Sequence, residues 1–173
     1  MMLIPQHKQN GITLVEALVV VIMLAILVAV LTPSMNTYFN QGNIKGAAEA
    51  LYGDVNLART TATKSTDTVT ITFVSGASWC YGLSSAAIAC ACNSAPSSTN
   101  CNLGLTTSAN FKNTTLAVTN ATTTFSTSRG TTTSNVAVFS ATNPTQSATV
   151  TISNMGAPSI CSTGASVGGY PAC

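Results

Sequence analysis

The stretch GITLVE at residues 11–16, followed by an apolar run that ends at Leu31, decides how the rest of the chain is interpreted. Among the twenty residues 12–31 only Glu16 is charged. A helix rises about 1.5 Å per residue, so this segment is about 30 Å long, which is the thickness of a bilayer core. A carboxylate inside a bilayer is costly and by default marks a functional position. The segment is therefore predicted to be a membrane-spanning helix in which Glu16 has a function.

Two simpler interpretations fit this segment less well. A secretory signal peptide has an apolar core of about 7–15 residues and a small-x-small cleavage site. Here the apolar run is longer, and Thr32-Pro33-Ser34 is a poor cleavage site. A plain membrane anchor leaves Glu16 unexplained.

Gly11, Glu16 and the apolar run together resemble the class III signal of type IV pilins and type II secretion pseudopilins. The resemblance implies that a prepilin peptidase cuts after Gly11 and methylates the new N-terminus at Ile12. Phenylalanine is commonest at that position, so Ile12 departs mildly from the pattern. Glu16 then stands at the fifth mature position, and Pro33 stands at the twenty-second, where many members carry a helix-bending proline. A buried carboxylate needs a partner, and in this family that partner is the N-terminal amine of a neighbouring subunit.

Orientation follows from the leader, which carries Lys8 and is expected to stay in the cytoplasm. The resemblance implies a bacterial inner-membrane protein with one span and a periplasmic C-terminus, later part of a pilus or pseudopilus in the periplasm or outside the cell. It also implies contact with other pilin subunits, with prepilin peptidase and with an inner-membrane assembly platform. Pro33 has no N–H and is predicted to kink or locally melt the helix.

Beyond Ser34 the helix is predicted to become amphipathic, because apolar residues recur at spacings of three and four. This stripe is predicted to pack on the protein's own sheet; it comprises Ile44, Ala48, Leu51, Val55 and Ala58. Residues 57–64, LARTTATK, followed by a strand from Val69, resemble the GspH/FimT type of minor pilins and pseudopilins. That second resemblance covers about residues 47–73.

The remaining sequence carries strand signals. Alternating segments predict strands at residues 68–73, 116–119, 123–126, 135–139 and 148–152. They predict an antiparallel sheet of about five to seven strands, so the fold class is α+β and pilin-like, with one long helix followed by a sheet. The predicted division is a leader at 1–11, a transmembrane or filament-core helix at 12–33, an amphipathic half at 34–66 and a sheet domain at 67–173.

Six cysteines indicate an oxidising compartment, where disulfides persist. Locality favours a bridge between Cys161 and Cys173, and two more bridges among Cys80, Cys90, Cys92 and Cys101. Cys90 and Cys92 point to opposite sides of an extended chain, which disfavours a bond between them. The pairing of the four remains open, because four cysteines allow three pairings. A zinc site is the alternative, but the spacing C-x9-C-x-C-x8-C does not match common zinc sites.

Composition excludes several functional classes. Charged residues make up 6% of the chain and the net charge is +2, so no strong field attracts nucleic acid. The one histidine, His7, lies in the leader, and neither an acid–base pair nor a phosphate loop is visible. No enzymatic activity, cofactor or metal is predicted.

The function predicted from the sequence is a structural subunit of a type IV pilus or pseudopilus, of the GspH/FimT minor type, acting in filament assembly or initiation. One alternative is a major pilin that forms the shaft. A second is a DNA-binding minor pilin, with Trp79, Tyr81 and Tyr170 stacking on bases. DNA is not favoured as a partner, because the basic residues are scattered and residues 152–173 contain neither Lys nor Arg.

Overall fold

A computed structural model describes residues 11–85, 90–92, 101–141, 146–164 and 167–173; within helix α1 the side chains of residues 30–34 lie outside the description. The elements in chain order are α1 (Leu14–Lys64), β1 (Val69–Val74), β2 (Cys80–Ser84), β3 (Gly104–Thr107), a short 3-10 turn (Ser108–Asn110), β4 (Thr114–Val118), β5 (Thr122–Phe125), β6 (Asn135–Ala141), β7 (Gln146–Ile152) and β8 (Pro158–Gly164). One long helix followed by antiparallel strands is the α+β, pilin-like class that the sequence predicts.

The second part of α1 is helical because of its amphipathic pattern. The five residues of the predicted stripe are fully buried, and Ala47 and Ala62 extend the same face. Helix α1 ends at Lys64, where Thr63 donates its hydroxyl to the carbonyls of Arg59 and Thr60. Such back-bonding is common for threonine near the end of a helix.

Eight strands in the described residues form two four-stranded antiparallel sheets, in the orders β3-β2-β1-β5 and β4-β6-β7-β8. All five predicted strands are present. The expectation of one sheet with about five to seven strands needs correction, because β2, β3 and β8 are additional. Strands β3 and β8, GLTT and PSICSTG, are dominated by small residues and lack the alternation of large apolar residues that marks a strand. Strand β2, CYGLS, alternates only at Tyr81 and Leu83, which is too short a pattern to predict a strand.

One hydrophobic core joins the second part of α1 to both sheets. Its centre is Trp79, which is fully buried and lies 5.2 Å from Phe139 and 6.1 Å from Tyr81, ring centroid to centroid. The Trp79 indole N–H donates to the carbonyl and hydroxyl oxygens of Thr114 at 3.2 and 3.1 Å. A buried tryptophan needs such a partner for its polar atom.

Internal contacts divide the chain into two compact units, Met1–Asn36 and Thr37–Cys173. The first contains the beginning of α1. The second contains the rest of α1 and both sheets. The finer division at residues 11, 33 and 66 remains a prediction.

Candidate assembly site

The predicted processing and assembly residues lie at the start of α1. Gly11, Ile12 and Thr13 precede the helix, and Glu16 lies in its first turn. The Glu16 backbone N–H donates to the Thr13 hydroxyl at 3.3 Å, so Thr13 is the N-cap. The order Thr-x-x-Glu is that of a capping box. An acidic residue at this end also interacts favourably with the helix dipole.

Large apolar side chains around Glu16 are exposed in the part of the chain that the structure describes. Exposure ranges from 42% at Val19 to 81% at Leu14, and Ile12 is 77% exposed. Contiguous apolar exposure of this kind marks a surface that contacts lipid or another protein. Within the described part of the chain, no helix meets the length and hydropathy needed to cross a membrane.

Pro33 lies inside α1, in the segment whose side chains are outside the description. The predicted kink there remains a prediction.

An exposed aromatic surface lies at the beginning of the second unit. Tyr38 and Phe39 are 71% and 59% exposed, and their rings meet edge to face at 6.2 Å between centroids. They border a cavity of about 350 Å³ that also includes Lys45 and Gly168. In the sequence this surface could have been recognised from two adjacent aromatic residues that precede the apolar stripe.

The C-terminal segment is fastened to α1 beside this cavity. The Tyr170 hydroxyl donates to Glu49 Oε1 at 2.7 Å, and Lys45 Nζ lies 3.7 Å from the same oxygen. Lys45 Nζ also lies 5.9 Å from the Tyr170 ring centroid. Burial raises the pKa of the Tyr170 phenol, and its hydrogen bond to Glu49 acts in the same direction. The Glu49 carboxylate and the Tyr170 hydroxyl therefore attach the C-terminal segment to α1.

All six cysteines lie in the described residues, and the structure pairs Cys80 with Cys92, Cys90 with Cys101, and Cys161 with Cys173. The first two bridges interleave along the chain. Four bridged cysteines leave no thiolate for the zinc alternative. Among the described residues no group of three or more His, Cys, Asp and Glu is placed to hold a metal ion.

Gly82 explains how two bridges fit against β2. A Cβ at this position would collide with Cys90 Sγ and would lie 2.9 Å from Cys101 Sγ. On β2 the alternate residues Tyr81 and Leu83 belong to the core, so Gly82 faces away from it. The absence of a side chain therefore seats the Cys90–Cys101 bridge on the outer face of the sheet.

Asp54 is a partly buried carboxylate beneath the same sheet. The Tyr81 hydroxyl donates to Asp54 Oδ2 at 2.9 Å. Burial raises the pKa of Asp54 above its ordinary value, and the hydrogen bond from Tyr81 acts in the opposite direction. Burial also raises the pKa of Tyr81, and the Asp54 charge adds to that rise.

The predicted base-stacking residues do not form a surface. Trp79 and Tyr81 are fully buried in the core, and Tyr170 is bound to Glu49. The basic residues lie in two separate places. Asn43 donates to the Lys112 carbonyl at one end of the second unit, while Arg59 lies against Gly130, the neighbour of Arg129, near the end of α1.

Two parts of the chain match descriptions of known protein families. The family described as type II transport protein GspH matches residues 47–156, which is more than half of the chain. The prokaryotic N-terminal methylation motif matches residues 6–32. Among curated proteins none matches the sequence.

Two crystal structures of the type IV minor pilin FimU from Pseudomonas aeruginosa strain PAO1 are similar in structure. The form in space group P21 has 17% identity and a TM-score of 0.48, and the match covers 71% of this chain and 91% of FimU. The form in P65 has 20% identity and a TM-score of 0.44, with 67% and 90% covered.

The family match and the methylation motif coincide with the two segments on which the sequence resemblances depend. The chain therefore belongs to the family of the type II transport protein GspH, the minor pilins and pseudopilins that its helix-to-strand segment resembles.

Proposed function

We propose that this chain acts in the assembly or initiation of its filament. As a member of the GspH family it is a structural subunit of a type IV pilus or pseudopilus. Before assembly, residues 12–33 would hold it in the bacterial inner membrane with the sheet domain in the periplasm. An inner-membrane assembly platform would then transfer it into the filament.

The observation that carries this proposal is the exposed apolar segment with one carboxylate. Among the described residues the large apolar side chains from Ile12 to Val28 are 42–81% exposed. Lipid acyl chains would cover them before assembly, and helices of other subunits would cover them afterwards. Burial away from water drives the first association. Close packing between helices drives the second, because lipid tails are as apolar as the side chains they cover.

Glu16 would pair with a new amine. Prepilin peptidase would cut after Gly11 and expose the α-amine of Ile12. The match of residues 6–32 to the N-terminal methylation motif supports such processing. Thr13 accepts the hydrogen bond of the Glu16 amide, so the carboxylate is not needed for that contact. Inside a filament core that carboxylate requires a cation, and the Ile12 amine of a neighbouring subunit supplies one.

Catalysis is not proposed for this chain. Two of its carboxylates have structural partners, because Glu49 binds Tyr170 and Asp54 binds Tyr81. Asp67 is exposed beyond the end of α1. A filament subunit needs none of these groups for chemistry.

Intact-mass and N-terminal analysis of the unreduced chain from its native membrane or filaments tests processing. The expected species begins at methylated Ile12 and is six hydrogens lighter than the all-thiol form, as three disulfides require. A chain that keeps Met1, or that begins after residue 33, would overturn the proposal.

Abundance separates the minor role from the shaft role. In sheared filaments a shaft protein dominates, whereas an initiator is scarce. Quantitative mass spectrometry of the filament fraction is the measurement. A dominant amount would replace the initiation role by the major-pilin alternative.

Retardation of DNA by the full chain in detergent, measured across salt concentrations, tests the DNA-binding alternative. We expect no salt-dependent retardation, because the basic residues are divided between two places.

A further inference from the structure

Strand β8 is an edge that the fold has to protect. It has seven residues, whereas the other edge strands of the described sheets, β3, β4 and β5, have four, five and four. Its sequence PSICSTG contains no charged residue. Proteins usually protect edges with charges, proline or a covering segment, because unpaired N–H and C=O groups recruit other strands.

A covering segment is present, formed by the tail at residues 170–173. The Ser162 N–H donates to the Pro171 carbonyl at 2.8 Å, and the Cys173 N–H donates to the Ser162 carbonyl at 3.2 Å. These bonds form a single parallel bridge between Ser162 and Ala172. Pro171 has no N–H, so it cannot extend the pairing to the carbonyl of Ile160. The cover is therefore one bridge long.

Four attachments hold the tail in place. Cys173 is bonded to Cys161 on β8 itself, and the Tyr170 hydroxyl reaches Glu49 on α1. The Ser162 hydroxyl donates to the Tyr170 carbonyl at 3.3 Å. Val167 is fully buried and anchors the segment before the tail.

The bridge in the tail is more accessible than the other two. Cys173 is exposed and Cys161 is half-buried. In the interleaved bridges Cys92 is also half-buried, but its partner Cys80 is 3% exposed, and Cys90 and Cys101 are 1% and 7% exposed, so neither bridge has an exposed cysteine. Thiol–disulfide exchange requires a thiolate to reach a sulfur atom. A reductant will therefore reach Cys161–Cys173 before the interleaved bridges.

We infer that the tail is a removable cover and that uncovered β8 pairs with β8 of a second copy of this chain. A dithiol attacks the Cys161–Cys173 bond and forms a mixed disulfide. Its second thiolate then displaces the protein sulfur. The dithiol is oxidised to a disulfide, and Cys161 and Cys173 become thiols, a transfer of two electrons. Because β8 carries no charge, two copies meet without repulsion in a two-fold antiparallel pair. This inference goes beyond the assembly role and does not depend on Glu16.

The first experiment tests the order of reduction. The full chain in detergent is treated with increasing dithiothreitol without denaturant, alkylated with iodoacetamide and mapped by mass spectrometry. Cys161 and Cys173 should be alkylated at a reductant concentration that leaves the other four cysteines unmodified. Alkylation of Cys80, Cys90, Cys92 or Cys101 at the same concentration would overturn the inference.

The second experiment tests the uncovered edge in the variant Cys161→Ser/Cys173→Ser. Hydrogen exchange of the Ser162 and Cys173 amides should become about tenfold faster in dilute chain, since these two N–H groups donate the hydrogen bonds that hold the cover. Light scattering in detergent should show a larger fraction of dimer at higher concentration than the oxidised natural chain shows. Unchanged exchange, or an unchanged dimer fraction, would contradict the inference.

Ser162→Pro in the same background is the matched control. Both backbone groups of Ser162 are directed to the tail and away from β7, so proline there leaves the β7 pairing intact and removes the outward donor. The extra dimer should disappear. If it persists, β8 is not the contact. Trp79 fluorescence reports whether the variants are folded, and the selectively reduced and alkylated natural chain replaces any variant that is not.

Discussion

The two parts of helix α1 have opposite surroundings although they belong to one helix. In residues 12–28 the large apolar side chains are at least 42% exposed. In residues 44–62 the apolar stripe is fully buried against the protein's own sheets. Under the proposed function the first part would be covered by lipid or other subunits, whereas the second is satisfied by intramolecular packing. A substitution should consequently affect assembly in the first part and folding in the second.

Glu16→Val should abolish the proposed assembly role of the first part of α1. We expect the chain to insert into the membrane as before but to lose incorporation into filaments, because a buried amine would be left without its partner. Loss of one member of such a pair costs about 3–5 kcal/mol, equivalent to a decrease of more than about 100-fold. Immunoblots of membrane and sheared-filament fractions measure the effect.

Asp67→Val is the control for that substitution, since Asp67 is an exposed carboxylate beyond the end of the same helix. It should enter filaments normally. Normal incorporation of Glu16→Val subunits would remove the proposed role of Glu16.

Leu51→Ala should weaken the packing of the second part of α1 against the sheets. Leu51 is fully buried, so truncation should lower the free energy of unfolding by about 3 kcal/mol. Leu27→Ala is the same change at a residue that is 59% exposed, and it should leave unfolding of the sheet domain unchanged. Urea unfolding of the full chain in detergent, followed by fluorescence of the single residue Trp79, measures both. Equal effects would show that the two parts do not differ as described.

Much of this contrast could be predicted from residues alone. Spacings of three and four identified the buried stripe, and strict alternation identified β1, β6 and β7. Short-range closure favoured the bridge between Cys161 and Cys173, which the structure contains. Each of these features depends on residues that are close in sequence.

The rest depends on long-range arrangement. Strand β2 is apparent only when its neighbours β1 and β3 are known, because Tyr81 and Leu83 alone make too short an alternation to predict it. The pairing of Cys90 with Cys101 requires that both sulfurs meet over Gly82. The contact of Tyr170 with Glu49 joins residues 121 positions apart. No local pattern encodes such a meeting.

Gly82→Ala tests whether the Cys90–Cys101 bridge lies against β2. The new methyl group would collide with the Cys90–Cys101 bridge, so the free energy of unfolding should decrease by about 1–3 kcal/mol. Gly104→Ala on neighbouring β3 is the matched control, since its Cβ would make an ordinary contact of 3.9 Å with Leu83. The same urea titration compares them. Equal losses at the two glycines would mean that the bridge does not lie against Gly82.

Gly53→Ala should have a smaller effect of opposite sign. Gly53 lies on the exposed face of α1, and a methyl group added to its Cα would have no other atom within 4 Å. Alanine restricts the unfolded chain and favours the helix, so stability should increase by about 0.5–1 kcal/mol. Loss of stability in the urea titration would mean that this face is already covered.

Asp54→Asn should have the smallest effect and should depend on pH. Because burial raises the pKa of Asp54, the folded chain binds its proton up to a higher pH than the unfolded chain does. The unfolding free energy should therefore decrease as the pH rises from the ordinary aspartate pKa of 3.8 through the raised pKa, and should be constant above it. Asparagine accepts the Tyr81 hydrogen bond without a charge, so the variant should lack this decrease and should equal or slightly exceed the natural chain in stability at neutral pH. Urea titrations at a series of pH values, with Asp67→Asn as the exposed control, measure the difference. An opposite slope, with the natural chain gaining stability relative to Asp54→Asn over this range, would show that the hydrogen bond from Tyr81 outweighs desolvation at Asp54.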